Sequence, residues 1–262
     1  MKQKWRLIEK GTYDAYTNMA IDEALALTVK KTNVSIIRLG YRWQEPGAVS
    51  FGINQNSDDV DINYCKQNKL DIVRRSTGGQ ALFHSPEDFT YCVIMNPEGN
   101  FKNFMDSYYE ICSWIIASFS ELGIKARYDS SSSILAENKK ICGNAQTRVL
   151  GPILQHGSIF YSLNPETMEK IFKTKKEEIT EKATCIKDFR NISQEEVYDA
   201  FKEGFLKNKD FFVDDLNEEE MERVNKLLKN KYKTDQWNFN YNKPIKGSCH
   251  VQWENITLKT LL

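Results

Sequence analysis

The run FTYCVIM at Phe89–Met95 places apolar side chains at successive positions, so the strand it forms needs cover on both faces. The chain supplies helices for that cover. In 104–122, Phe104, Tyr108, Ile111, Ile115 and Leu122 recur on one helical face, and Gly123 stands where a helix C-terminus favours glycine. The spacing also predicts helices over 18–30, 58–68, 165–172, 194–206 and 217–230, and Ser193 with Glu196 forms a capping-box signature. Strands are predicted at 5–9, 35–39, 48–51 and 71–75, with Pro46-Gly47 as the turn before the third. A strand-rich stretch over 134–163 is interrupted by Gly143, Gly151 and Pro152. Strands interspersed with helices, then mainly helices, make this an α+β chain. Periodic signals are few after Trp237, and no internal repeat is present.

The 262 residues are enough for one sizeable core. With 36 basic and 36 acidic side chains the formal charge is zero, which argues against a main task of neutralising nucleic-acid phosphates. A local cationic pocket is still compatible with that balance. The cysteines, at 65, 92, 112, 142, 185 and 249, have no C-x-x-C spacing, which excludes a zinc ribbon or a thioredoxin-like pair. The opening MKQKWRLIEKG lacks the apolar core of a signal peptide, and no segment approaches the roughly 20 apolar residues of a membrane span. Reduced thiols in a cytoplasmic protein are expected, with neither nucleic acid nor membrane as partner.

Two segments carry chemistry. In RRSTGGQALFH (74–84), two arginines end a predicted strand and a Gly-Gly pair follows. Backbone N–H groups in such a turn can form an anion-binding nest. Arg75 would clamp a carboxylate or phosphate, and Thr77 would donate a hydroxyl hydrogen bond. The plainer reading is a hairpin turn with a solvated arginine pair. In KKICGNAQTR (139–148), followed by QHGS (155–158), a strand lysine facing the nest would bring fixed positive charge to a reacting acyl group. Here the plainer reading is an exposed basic hairpin. Cys142 is a nucleophile only if a nearby cation lowers its pKa, and His156 alone is as readily a core histidine as a catalyst.

Together these segments resemble the lipoate–protein ligase A / octanoyltransferase family, whose catalytic domains are related to biotin–protein ligase. The resemblance runs from about Trp5 to Trp237 in family order. It takes in NMAIDEA from Asn18, RLGYRWQEPGAVSFGINQN from Arg38, RRSTGGQALFH, ILAENKKICGNAQTR and KYKTDQWNF. It implies mixed, largely antiparallel sheets flanked by helices, a catalytic domain over 1–240, and a short tail over 241–262. The implied activity attaches lipoate or octanoate to one lysine of a lipoyl-domain protein. The implied partners are apo lipoyl domains of 2-oxoacid dehydrogenase E2 or glycine-cleavage H protein.

For a ligase, the resemblance implies an acyl-AMP intermediate made from lipoic acid, ATP and Mg²⁺. Lys140 would be catalytic. Arg75, Thr77, Gly78, Gly79, Gln80, His84, Gly143 and His156 would bind the acyl-AMP, and no protein metal site is implied. An ATP-independent transferase would instead move the acyl group from a carrier, usually through a cysteine. Neither 125–133 nor GPILQHG (151–157) holds that cysteine, which leaves Cys142 as a weak candidate and favours the ligase. Against the ligase, the length is short for an added accessory domain, so a separate accessory subunit is expected if the ligase reading holds. Gln80 replaces the third glycine of the hallmark and Ser85 replaces an aspartate, which keeps a non-catalytic lipoyl-domain binder open. The tail GSCHVQWENITLKTLL matches no known pattern, and adjacent Cys249 and His250 are too few ligands for a metal site.

Overall fold

The computed structural model describes residues 3–129 and 132–240. The expected tail at 241–262, with Cys249 and His250, lies outside the described residues. In chain order the elements are β1 (Lys4–Glu9), β2 (Thr12–Tyr13), α1 (Ala15–Thr32), β3 (Ser35–Trp43), β4 (Ala48–Phe51), α2 (Ile62–Gln67), β5 (Asp71–Arg74), β6 (Leu82–His84) and β7 (Phe89–Met95). Next come α3 (Phe104–Glu121), β8 (Ala126–Asp129), β9 (Ser133–Ala136), β10 (Lys139–Thr147), β11 (Ile153–Ile159), α4 (Pro165–Phe172), α5 (Lys176–Lys182) and α6 (Ile186–Phe189). The last are α7 (Gln194–Leu206), β12 (Asp210–Val213), α8 (Glu218–Leu227) and α9 (Asp235–Asn238).

The main sheet runs β12-β1-β3-β7-β11-β10-β9-β8, with β2 beside β3. Its pairs are antiparallel from β3 to β8 and parallel at β12-β1-β3. β7 lies near the centre, as its two apolar faces require. Tyr91, Val93 and Met95 pack with α3 and α7, whereas Cys92 and Ile94 pack with α1. Full burial of each large apolar side chain contributes about 1.5–3 kcal/mol. A second sheet, β5-β4-β6, packs against α2, α4 and α5.

Local chemistry sets most boundaries. Asp14 caps α1, and Asn33 ends it with φ +59. Ser193 and Glu196 form the expected capping box on α7. The expected helix at 58–68 is instead a 3-10 turn, Ser57–Asp59, and then α2, because the Asp61 side chain caps Tyr64 N–H and restarts the helix. β12 escapes the pattern because it is a short, mostly exposed edge strand that forms by pairing with β1. All five described cysteines are free and buried. Among the described residues no helix is long and apolar enough to cross a membrane.

Candidate active site

A cavity of about 590 Å³ lies where the glycine loop after β5 faces β10 and β11. Its walls include Gly78, Gly79, His84, Lys140, Gly143 and His156, so the two segments singled out in the sequence meet at one place. The loop's shape depends on two glycines. Gly79 has φ +89, a left-handed backbone that disfavours any side chain. Its carbonyl passes so close to Gly52 that a Cβ there would lie 1.9 Å from the oxygen. Gly78 faces open space. Gln80 has no such φ and is exposed at the rim, so the missing third glycine leaves the loop intact.

Arg75 borders the cavity, but its guanidinium is committed to the protein. Nε and Nη2 donate to Gly78 O, Nη2 also donates to Gln80 O, and Nη1 donates to Ser50 O and Oγ, at 2.7–3.2 Å. These bonds occupy the five N–H donors of the fork. Arg75 thus holds the loop through its carbonyls, leaving the loop's N–H groups for a ligand. Burial, with a smaller contribution from Arg74, lowers its pKa to about 10 against the upward pull of Tyr108. Arg74 is also turned inward, onto Gly52 O, Ile53 O and Gln55 O and onto Asn238 O.

Lys140 extends from β10 across Gly143. A Cβ on Gly143 would lie 3.1 Å from Nζ, so this glycine is the floor on which the lysine rests. Burial lowers the Lys140 pKa and the Arg75 charge lowers it further, while Cys142 and Asp129 pull the other way. Cys142 is fully buried behind the cavity wall. Its thiol donates to Asn144 Oδ1 at 3.2 Å in the core with α3, and burial pushes its pKa well up. The thiol is not among the residues that line the cavity. Among the described residues no cysteine lines the cavity.

His84 is stacked on Trp43, with centroids 3.8 Å apart and planes at 20°. Ser50 Oγ accepts from Arg75 and lies 2.8 Å from His84 Nε2, while His84 Nδ1 lies 3.4 Å from Ser158 Oγ. Burial, with the Arg75 charge adding to it, lowers the His84 pKa well below the usual range, so the ring is neutral.

His156 joins residues from distant parts of the chain. Its Nδ1 is 3.0 Å from Asp22 Oδ2 and its Nε2 is 2.7 Å from Thr77 Oγ1. Asp22 also accepts from Arg38 Nη1 at 2.9 Å and Tyr41 O–H at 3.2 Å. Burial pushes the Asp22 carboxyl up, but the His156 hydrogen bond and the Arg38 charge outweigh it and hold the carboxyl below its ordinary value. Asp22, Cys92 and His156 bring three ligand atoms within 4.8 Å of one another. The Asp22 oxygens are already engaged, so the trio offers a cation no vacant carboxylate.

Motif reading placed Asp22, Arg38, Tyr41, Trp43 and Asn144 inside matching segments but gave them no role. A signal was available, since Arg38 interrupts the apolar strand SIIRL and a buried charge needs a partner.

Residues 14–206 match the model of the lipoyl protein ligase A/B catalytic domain. The chain is 32% identical to octanoyltransferase LipM of Staphylococcus epidermidis, over 90% of this chain and 99% of that protein. It is 29% identical to octanoyltransferase LipM of Bacillus subtilis, over 91% and 99%. Among solved structures, lipoate-protein ligase A bound with ATP superposes with a TM-score of 0.81 at 26% identity, covering 92% of this chain and all of that one. The bipartite lipoate protein ligase of Thermoplasma acidophilum shares the fold, with a TM-score of 0.83 at 23% identity over 93% and 99%. The chain belongs to the lipoyl protein ligase A/B catalytic-domain family.

Proposed function

We propose that this enzyme is an acyltransferase that moves an octanoyl or lipoyl group from a carrier thioester onto a lysine amine of a lipoyl-domain protein, without ATP. The near full-length likeness to octanoyltransferases carries the reading. The cavity supports it further. Among the described residues no Asp or Glu side chain lines it, so Mg²⁺ would lack the carboxylates it usually takes beside a triphosphate. The residues present therefore do not fit the expected metal, and no step is routed through it. The catalytic unit in this reading spans about residues 1–240.

The step needs no enzyme thiol. The neutral amine of the acceptor lysine attacks the acyl carbonyl, the C–S bond breaks, and the amine proton passes to the leaving thiolate as the amide forms. The carbonyl oxygen gains negative charge in between. Lys140 Nζ and the N–H groups of Gly78 and Gly79 are fixed around the cavity and would stabilise that charge without reorganising. Apolar wall residues such as Met19, Tyr41 and Trp43 suit the acyl chain, whose burial is worth about 0.8 kcal/mol per CH₂.

A second reading keeps the ligase route through acyl-AMP. It is favoured by the 26% likeness to an ATP-bound ligase and by the lack of a cavity cysteine among the described residues. Mass spectrometry of a lipoyl-domain acceptor separates the two. Octanoylation from an octanoyl-carrier protein without ATP is expected. Acylation only from free acid with Mg-ATP would overturn the proposal, and no product from either donor would leave a binding module.

A further inference from the structure

Gly78 and Gly79 give the loop's backbone little intrinsic conformational preference, so its shape depends on contacts made elsewhere. Thr77, immediately before them, has its side chain fully buried. Its hydroxyl meets His156 Nε2, and its carbonyl accepts from Ile53 N–H at 2.8 Å. Thr77 therefore ties the loop to β11 and does not meet the ligand. Behind it stand His156, Asp22 and then Arg38 with Tyr41, contributed by β11, α1 and β3.

We infer that Asp22 and Thr77 are positioning residues of the active site: Asp22 fixes His156 with its proton on Nδ1, and the bare Nε2 accepts a hydrogen bond from the Thr77 hydroxyl and so holds the glycine loop in register with Lys140. The direction follows from donor and acceptor accounting. An ionised carboxylate only accepts, so Nδ1 must donate to Asp22. With that proton on Nδ1, Nε2 is left as the acceptor, and the Thr77 O–H is the donor within reach. Arg38 Nη2 also holds Asn18 Oδ1 at 2.6 Å, and its guanidinium lies 3.6 Å from the Tyr41 ring centre, so the far end of the relay is locked on the helix and the strand. A preset nest spares reorganisation during reaction, whereas a drift of about 1 Å can cost about 10²-fold.

The kinetic part of the test rests on the proposed acyl transfer, while the spectroscopic part does not. With ¹⁵N-labelled histidine and a His156→Gln variant for assignment, wild-type His156 is expected to carry its proton on Nδ1. A proton on Nε2, alone or beside one on Nδ1, would overturn the relay. Asp22→Asn should abolish that tautomer preference. Because it strands Arg38, the decisive variant is Thr77→Val, which keeps Asp22 and Arg38 paired. Thr77→Val should lower kcat about tenfold or more, with KM within about twofold, while the stranded His156 nitrogen lowers the thermal midpoint by only a few degrees. Thr77→Ser should restore kcat. Wild-type kcat in Thr77→Val would overturn the inference, as would failure of Thr77→Ser to rescue. If the wild type transfers no acyl group, the functional reading fails, and the ring signature still decides the relay.

Discussion

A Cβ on Gly52 would lie 1.9 Å from the carbonyl oxygen of Gly79 and 2.9 Å from its carbonyl carbon. The end of β4 and the glycine loop thus touch through bare backbone. Gly52→Ala must displace the loop, at a cost of about 1–3 kcal/mol of stability. Turnover should fall about 10²-fold through misplacement of the loop. Gly78 gives the contrast, since its Cβ would enter open space on the cavity. Gly78→Ala should keep the urea midpoint of the wild type and lose kcat/KM. Wild-type turnover in Gly52→Ala would show that the loop is not part of the site.

Lys140 lies over Gly143 with its ammonium at the cavity wall. Lys140→Ala should cut the acyl-transfer rate by about 10²-fold or more, as for loss of a preorganised electrostatic stabiliser. Single-turnover assays of purified protein check this, and a rate near wild type would exclude Lys140 from the reaction.

Cys142 is packed in the core and does not line the cavity. Cys142→Ala should retain acyl transfer within about twofold while costing about 1–2 kcal/mol of stability. Loss of transfer with an intact fold, seen by circular dichroism, would restore a covalent role for this thiol.

Asp88 is buried, and its Oδ1 has no hydrogen-bond partner among the described residues. Burial pushes its carboxyl well up, against the N–H donors of Ser85 and Tyr161, and the Glu87 charge adds to the rise. A raised folded-state value means the protonated form is favoured on folding. The stability it contributes is full below about pH 3.9, the unfolded value, and is lost as pH rises through the folded value. Asparagine does not titrate. Asp88→Asn should therefore stabilise the protein relative to wild type at pH 8, with the gain shrinking toward pH 4. Urea midpoints of both proteins at the two pH values test this, and an equal difference at each would exclude it.

Patterns local in the chain were readable from the sequence. Phe89–Met95 had to be an interior strand because neither face is polar, and Ser193 with Glu196 had to start a helix because the box satisfies N–H groups that nothing else reaches. RRSTGGQALFH and KKICGNAQTR resemble the hallmark segments of a family, and that resemblance singled out Lys140. The roles of Arg75 and Thr77 were not readable. A sequence cannot say that all five N–H groups of Arg75 end on Ser50, Gly78 and Gln80, or that the Thr77 hydroxyl is spent on His156. Asp22 and His156 lie 134 positions apart, and only the packing of α1 on the sheet brings them to 3.0 Å. Composition and periodicity fix which surfaces must be buried. Which buried polar groups find one another depends on how the layers stack, and that was decided by the tertiary structure alone.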